Sequence, residues 1–278
     1  MFSSLISGAL RDVRVALSSR LASAWRENRM RGSPRRMASE GYQGPKIHIV
    51  SATRLNQMEF LATAHLAKTL PNIEQLFPIA RAITYENRVG LPQIYNTALD
   101  TLPDSDIAVF VHDDVLIYDC FLPQRLVDGL TQFDVIGVAG SIHPTADQVN
   151  WCFRLPEGEQ TLVSIEQARA SGAVTHILPA GEMFSVFGAT PRRVALIDGL
   201  FIAARVGTLR RANVRFDERF RFHFYDIDFC RTCASKGLTI GTWPIALGHG
   251  DRGNFTSPTW LEGLAVYRDK WGKTELRY

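Results

Sequence analysis

From residue 46 onward, short apolar runs alternate with segments whose apolar positions recur at helical spacing. Residues 46–51 (KIHIVS) follow a Gly-Pro pair and have the β-rich character of a first strand. Residues 56–69 place Phe60, Leu61, Ala64, Leu66 and Ala67 on a helical stripe, which predicts one helix ending before Pro71. Residues 76–82 read as a second strand, and residues 91–100 as a helix opening near Pro92. Residues 107–112 (IAVFVH) form a continuous apolar run, the pattern of a strand covered on both faces. A helix over 121–131 and a strand over 135–139 follow. This alternation predicts βαβ units, hence an α/β fold with a mixed, mostly parallel sheet flanked by helices.

The pattern loosens from 140 to 191, where 174–178 and 183–187 read as antiparallel strands. Residues 196–204 (LIDGLFIAA) are a further apolar run. Residues 224–236 read as a helix stopped by Gly237, and 239–243 as the last strand. No internal repeat is visible, so one domain over 46–278 is the simplest division, preceded by an arm and linker over 1–45.

The arm changes the reading of charge. The chain's formal charge is +3. Residues 1–45 hold eight arginines against three acids, or +5, and the remaining residues hold 23 bases against 25 acids, or −2. A basic nucleic-acid-binding surface on the domain is therefore not supported, and no nucleic-acid partner is expected. Within residues 1–30, Leu5, Ile6, Leu10, Val13, Leu17, Leu21 and Trp25 recur at helical spacing with Arg11, Arg14 and Arg20 between them. Three readings stand: a basic amphipathic helix on an anionic membrane surface, an organellar transit peptide, or a helix packed on protein. No stretch approaches the roughly 18 apolar residues of a membrane span. Four cysteines in a chain this long do not make a disulfide framework, so a reducing cytoplasm is the default, with a peripheral position on the inner membrane face if the arm binds lipid.

The stretch richest in chemistry is VFVHDDV, residues 109–115, where an apolar strand runs into His112, Asp113 and Asp114. Ligands of open α/β sheets bind at the carboxyl ends of strands. Adjacent carboxylates there repel and lose hydration unless a cation or hydrogen-bond donors compensate, which a hard divalent ion would do. Helix capping is the bland alternative. A second acidic group, Asp226 and Asp228, lies among Phe222, Phe224 and Tyr225. Capping accounts for one acid; the aromatic wall would raise the pKa of the other towards that of a general base. His249 sits between glycines after the last predicted strand and could complete a metal site.

These pieces, in this order, resemble the nucleotide-sugar-dependent glycosyltransferases of the GT-A fold, in particular the family 2-like enzymes that build bacterial surface polysaccharides. The resemblance covers about residues 46–272. SATR (51–54) is similar to the family's nucleotide-binding start, and Asn87, Gly90 and Asn96 match its Asn, Gly and helix Asn. HDD resembles its DxD-type motif, FHFYDIDFCRTCASKG its acidic helix, GHG its late His, and YRDKWG its tail. The resemblance implies Asp114 and His249 as ligands of a Mn²⁺ or Mg²⁺ ion, and Asp113 beside the ribose or the ion's waters. It implies Asp226 as catalytic base, Ser51, Thr53, Arg54 and Asn87 near the nucleotide, and Asp198 facing sugar and acceptor; Tyr225 is counted with the substrate-binding residues. The donor would be a nucleoside-diphosphate sugar, UDP foremost, and the acceptor a glycan or lipid-linked glycan. This sequence departs from the pattern in three places. His112 stands for the first Asp of DxD, Tyr225 for the Glu before the base, and Tyr95 for an Arg before the helix Asn.

Two other readings remain. HDD could mark a metal-dependent phosphohydrolase, although further His or Asp clusters of two-metal density are missing from the sequence. A non-catalytic nucleotide-sugar-binding subunit would carry the same motifs. Cys230 and Cys233 form a CxxC pair without a matching second pair, so core packing is preferred over zinc.

Overall fold

The computed structural model describes residues 42–250 and 255–272; the arm over residues 1–30 lies outside the described residues. The described residues from 43 onward form one compact unit. The strands are β1 (Ile47–Ala52), β2 (Ile79–Thr84), β3 (Ile107–Val111), β4 (Val115–Ile117), β5 (Val135–Gly137), β6 (Ala139–Ser141), β7 (Phe153–Arg154) and β8 (Val163–Ser164). They continue as β9 (Ala170–Leu178), β10 (Gly181–Gly188), β11 (Arg192–Val194), β12 (Leu196–Ile197), β13 (Phe201–Arg205), β14 (Ile240–Thr242) and β15 (Leu247–His249). The helices are α1 (Gln57–Thr63), α2 (His65–Glu74), α3 (Leu91–Thr101), α4 (Leu122–Gln132), α5 (Val206–Arg211), α6 (Tyr225–Ser235) and α7 (Pro258–Trp271).

The fold is the mixed α/β arrangement expected, but its larger sheet has as many antiparallel as parallel neighbours rather than being mostly parallel. One sheet has the order β11-β14-β5-β13-β3-β1-β2. β1 runs parallel to both β2 and β3, and β14 parallel to β5, while β13 inserts antiparallel between β3 and β5. β3 is buried along its whole length, as its unbroken apolar run requires. A second sheet has the order β12-β6-β9-β15-β4, with β10 paired to β9. Between α3, β3 and α6 the core is aromatic: the rings of Tyr95 and Phe110 lie 4.7 Å apart, and Phe216 stacks on Phe229 at 4.2 Å. Tyr95, one of the three departures from the family pattern, is therefore a fully buried core ring.

The chain passes between the two sheets at two places that build the site. The turn 112–114 leads from β3 to β4, and the turn 198–200 leads from β12 to β13. The turns are tied together where His112 N donates to the Leu200 carbonyl at 3.2 Å.

Several boundaries differ from the sequence expectations. The single helix expected over 56–69 is two, α1 and α2, with Ala64 extended between them and Pro71 inside α2. The break follows from the tertiary fold. Leu66 N, in the first turn of α2 and without an intrahelical acceptor, donates to the Asp113 carbonyl at 3.0 Å, and α1 opens on a capping box between Asn56 and Glu59. The strand expected over 135–139 divides between the two sheets as β5 and β6. The run 196–204 divides around the 198–200 turn. β14 is not the last strand, since β15 follows it and ends on His249.

Candidate active site

The turn after β3 is fixed by its backbone. The Asp114 carbonyl accepts from His65 Nδ1 at 3.1 Å and from Gly250 N at 3.0 Å. β15 pairs antiparallel with β4 in a register that sets His249 opposite Val115. His112, Asp114 and His249 then offer ligand atoms that all lie within 4.8 Å of one another, the only such group of three among the described residues. His249 Nε2 lies 3.4 Å from Asp114 Oδ2, and this buried nitrogen makes no hydrogen bond. A buried imidazole nitrogen left without a hydrogen bond beside a carboxylate suits a shared cation. The sequence reading paired Asp114 with His249 and set His112 aside as a departure. The structure instead makes His112 the third member, and Asp113 falls outside the group.

The acidic helix begins on a constrained residue. Phe224, the N-cap of α6, is left-handed with φ 68° and is held between Trp260 and Tyr267, at ring distances of 5.1 and 5.4 Å. Tyr225 Oη donates to the Gly199 carbonyl at 2.9 Å. Its single proton being committed, it accepts from His112 Nε2 at 2.8 Å, which assigns the His112 proton to Nε2 and leaves Nδ1 the acceptor atom of the ring. Gly199 N in turn donates to Asp226 Oδ2 at 3.1 Å. A Cβ on Gly199 would sit 2.4 Å from Tyr225 Oη, so this contact requires glycine. One chain of bonds thus links the His112 group to Asp226.

Burial pushes the Asp226 carboxyl up to about 7, with the charge of Asp198 adding to the effect and backbone N–H groups opposing it. The direction is the one the sequence reading expected of a buried carboxyl. Asp198 is held as an acceptor: Trp151 Nε1 donates to its Oδ2 at 2.7 Å and Leu200 N to its Oδ1 at 3.1 Å. Trp151 had no sequence signal, because its contact joins a loop to a distant turn.

Asp198, Tyr225, Asp226, His112 and His249 line one cavity of about 410 Å³. The residues expected near a nucleotide do not line it. Thr53 and Asn87 meet beside the ends of β1 and β2, where Asn87 N donates to the Thr53 carbonyl at 2.8 Å. Arg54 is exposed there, and Ser51 is fully buried in β1. On the opposite face of α6, Asp228 is fully buried and bonded to Lys270 Nζ at 2.7 Å and to Trp271 Nε1 at 2.8 Å. Cys230 and Cys233 are free thiols in the core, each raised by burial, which matches the packing reading.

No protein-family model matches the sequence, and no curated protein matches it. Among solved structures, GalNAc-T7 with UDP, GalNAc and Mn²⁺ aligns with a TM-score of 0.43 at 11% identity, over 82% of this chain and 49% of that one. S. aureus TarS 1–349 aligns with a TM-score of 0.40 at 12% identity, over 74% of this chain and 60% of that one. The chain spans about half to three-fifths of the length of these two.

Proposed function

We propose that the chain is a GT-A-type glycosyltransferase that moves a sugar from a nucleoside-diphosphate donor to an acceptor hydroxyl by a single inverting displacement. The observation that carries this reading is the meeting of two chemistries at one cavity, lined by Asp226 and by His112 and His249. A carboxyl raised to about 7 stands beside a His-Asp-His group, and Tyr225 and Gly199 join them. A base whose pKa lies near the working pH removes a proton most effectively. In this reading Asp226 takes the acceptor's hydroxyl proton as the oxygen attacks the anomeric carbon. Asp198, anchored by Trp151, keeps Asp226 basic by its charge.

His112, Asp114 and His249 would hold the divalent ion, with Tyr225 fixing the His112 tautomer. Two imidazoles and one carboxylate suit a transition ion such as Mn²⁺ better than Mg²⁺, which prefers oxygen ligands. When bound, the ion would neutralise charge building on the leaving diphosphate. Thr53, Arg54 and Asn87 are assigned to the nucleotide side, with Asp113 towards the ribose. UDP is the first donor base to test, and a glycan or lipid-linked glycan the acceptor. The arm over residues 1–30 is assigned to an anionic cytoplasmic membrane face. Deleting residues 1–40 then abolishes vesicle binding and spares transfer to a soluble acceptor; surviving vesicle binding contradicts that assignment.

The test of the class is a thermal-shift panel of nucleoside diphosphates with and without Mn²⁺. One nucleotide should stabilise the protein only when the metal is present. Metal-dependent release of inorganic phosphate, with no such shift, would favour the phosphohydrolase instead.

A further inference from the structure

Apart from its polar floor, the cavity is walled by aromatic rings. Phe222 is half-exposed and stacks on His112 at 5.7 Å; Phe153, Phe187 and Phe255 are each partly open. Phe153 meets Phe255 edge-on at 5.3 Å, and Phe187 meets Trp151 edge-on at 4.9 Å, so the rings brace one another. The polar groups are few. Asn150 Oδ1 accepts from the Cys152 and Phe153 backbones at 2.6 and 3.0 Å, which fixes the amide and makes its nitrogen the group that can donate to a ligand. Among the described residues that line the cavity there is no Lys or Arg, and the carboxylates are Asp198 and Asp226. His223 is held below its usual range by burial, so it adds no cation at neutral pH.

We infer that this wall is an acceptor subsite for an uncharged sugar ring, with Phe222 as its stacking platform. The inference rests on the glycosyltransferase reading. A pyranose presents a face of C–H groups and a rim of hydroxyls. Open aromatic rings pack against the first, while Asn150 and Asp198 supply a donor and an acceptor for the second. An acceptor ring bearing a carboxylate or phosphate would lose hydration beside Asp198 and Asp226, and no Lys or Arg among the described lining residues offsets that loss. The wall therefore selects by charge as well as by shape.

The experiment is saturation-transfer NMR on the full chain. It uses Mn²⁺ and whichever nucleoside diphosphate gives the largest metal-dependent thermal shift. The probes are methyl glycosides of glucose, galactose, mannose and N-acetylglucosamine, beside the matched methyl uronides. At least one neutral glycoside should bind through its C–H face, at least tenfold more tightly than its uronide. Phe222→Ala should weaken that binding at least tenfold, and Phe222→Trp should retain it. Mn²⁺ affinity measured in both variants separates loss of the platform from damage to His112. Nucleotide binding without any neutral glycoside signal, equal binding of uronides, or unchanged binding in Phe222→Ala would each overturn the subsite alone. Absence of any metal-dependent nucleotide shift would overturn the transferase reading beneath it.

Discussion

Asp226 and Asp228 stand two residues apart in the first turn of α6, both within reach of the helix dipole, yet they serve different regions. A separation of two in a helix turns them to opposite faces. Behind the helix, Asp228 is fully buried but compensated: Lys270 Nζ lies 2.7 Å from it and 2.8 Å from Asp217, and Trp271 adds a hydrogen bond. At the cavity, Asp226 has backbone donors and a second carboxylate for company. Burial raises both carboxyls, but Lys270 and Trp271 oppose the rise at Asp228, whereas Asp198 reinforces it at Asp226. The helix dipole cannot separate these two acids, because both have it. What distinguishes the raised acid from the compensated one is the partner each finds across the helix.

The comparison breaks most visibly at Asp226. Asp226→Asn should lower transfer by about 10²–10⁴-fold, the usual contribution of a general base, while metal-dependent nucleotide binding persists. Near-normal transfer would remove Asp226 from the chemistry. The same variant should melt higher than the wild type at pH 8. The folded pKa of Asp226 lies above the ordinary value of 3.8, so the stability this carboxyl contributes is present at low pH and is lost as pH rises from about 4 through about 7. Asparagine removes that loss.

On the structural side, Lys270→Met should cost about 3 kcal/mol in urea denaturation, because it leaves the Asp228 charge buried without its cation. Adding Asp228→Asn should restore much of that stability. A single substitution with no cost would mean that the two faces of α6 do not differ as described.

Smaller effects sharpen the cavity side. His249→Ala should weaken Mn²⁺ binding by at least about tenfold in calorimetry, with the fold intact by circular dichroism. Unchanged Mn²⁺ affinity would dissolve the His112–Asp114–His249 group as a metal site. Least in size, the rate of transfer should rise with pH through about 7 as Asp226 ionises, and Asp198→Asn should move that rise to lower pH by removing the neighbouring charge. A rise that stays in place would mean that burial alone sets the base.

How much of this was legible varies by the range of the interaction involved. The fully buried β3, the helical stripes of α3 and α4, and the β9–β10 hairpin were readable, because periodicity and apolar content report local burial. The break at Ala64 was not, since the partner of Leu66 N is the Asp113 carbonyl. His112 was misjudged for a similar reason. Beside Asp113 and Asp114 it looked like a substitution in an acidic motif, and only Tyr225 and His249 reveal it as a member of the cluster. Trp151 carried no motif at all.

By itself the sequence determined the α/β class, the acids at the strand ends and the aromatic setting of Asp226, because each is written in neighbouring residues. The tertiary structure alone decided which of those acids finds a cation and which is left raised beside a second carboxylate. The pairing of β15 with β4 carries His249 to Asp114, and the two crossings between sheets bring His112 and Asp198 against Tyr225 and Asp226. The physical reason is that a carboxyl's charge state depends on burial and on its nearest ionic partners. Those partners are set by strand pairing between segments far apart in the chain, which local patterning does not encode.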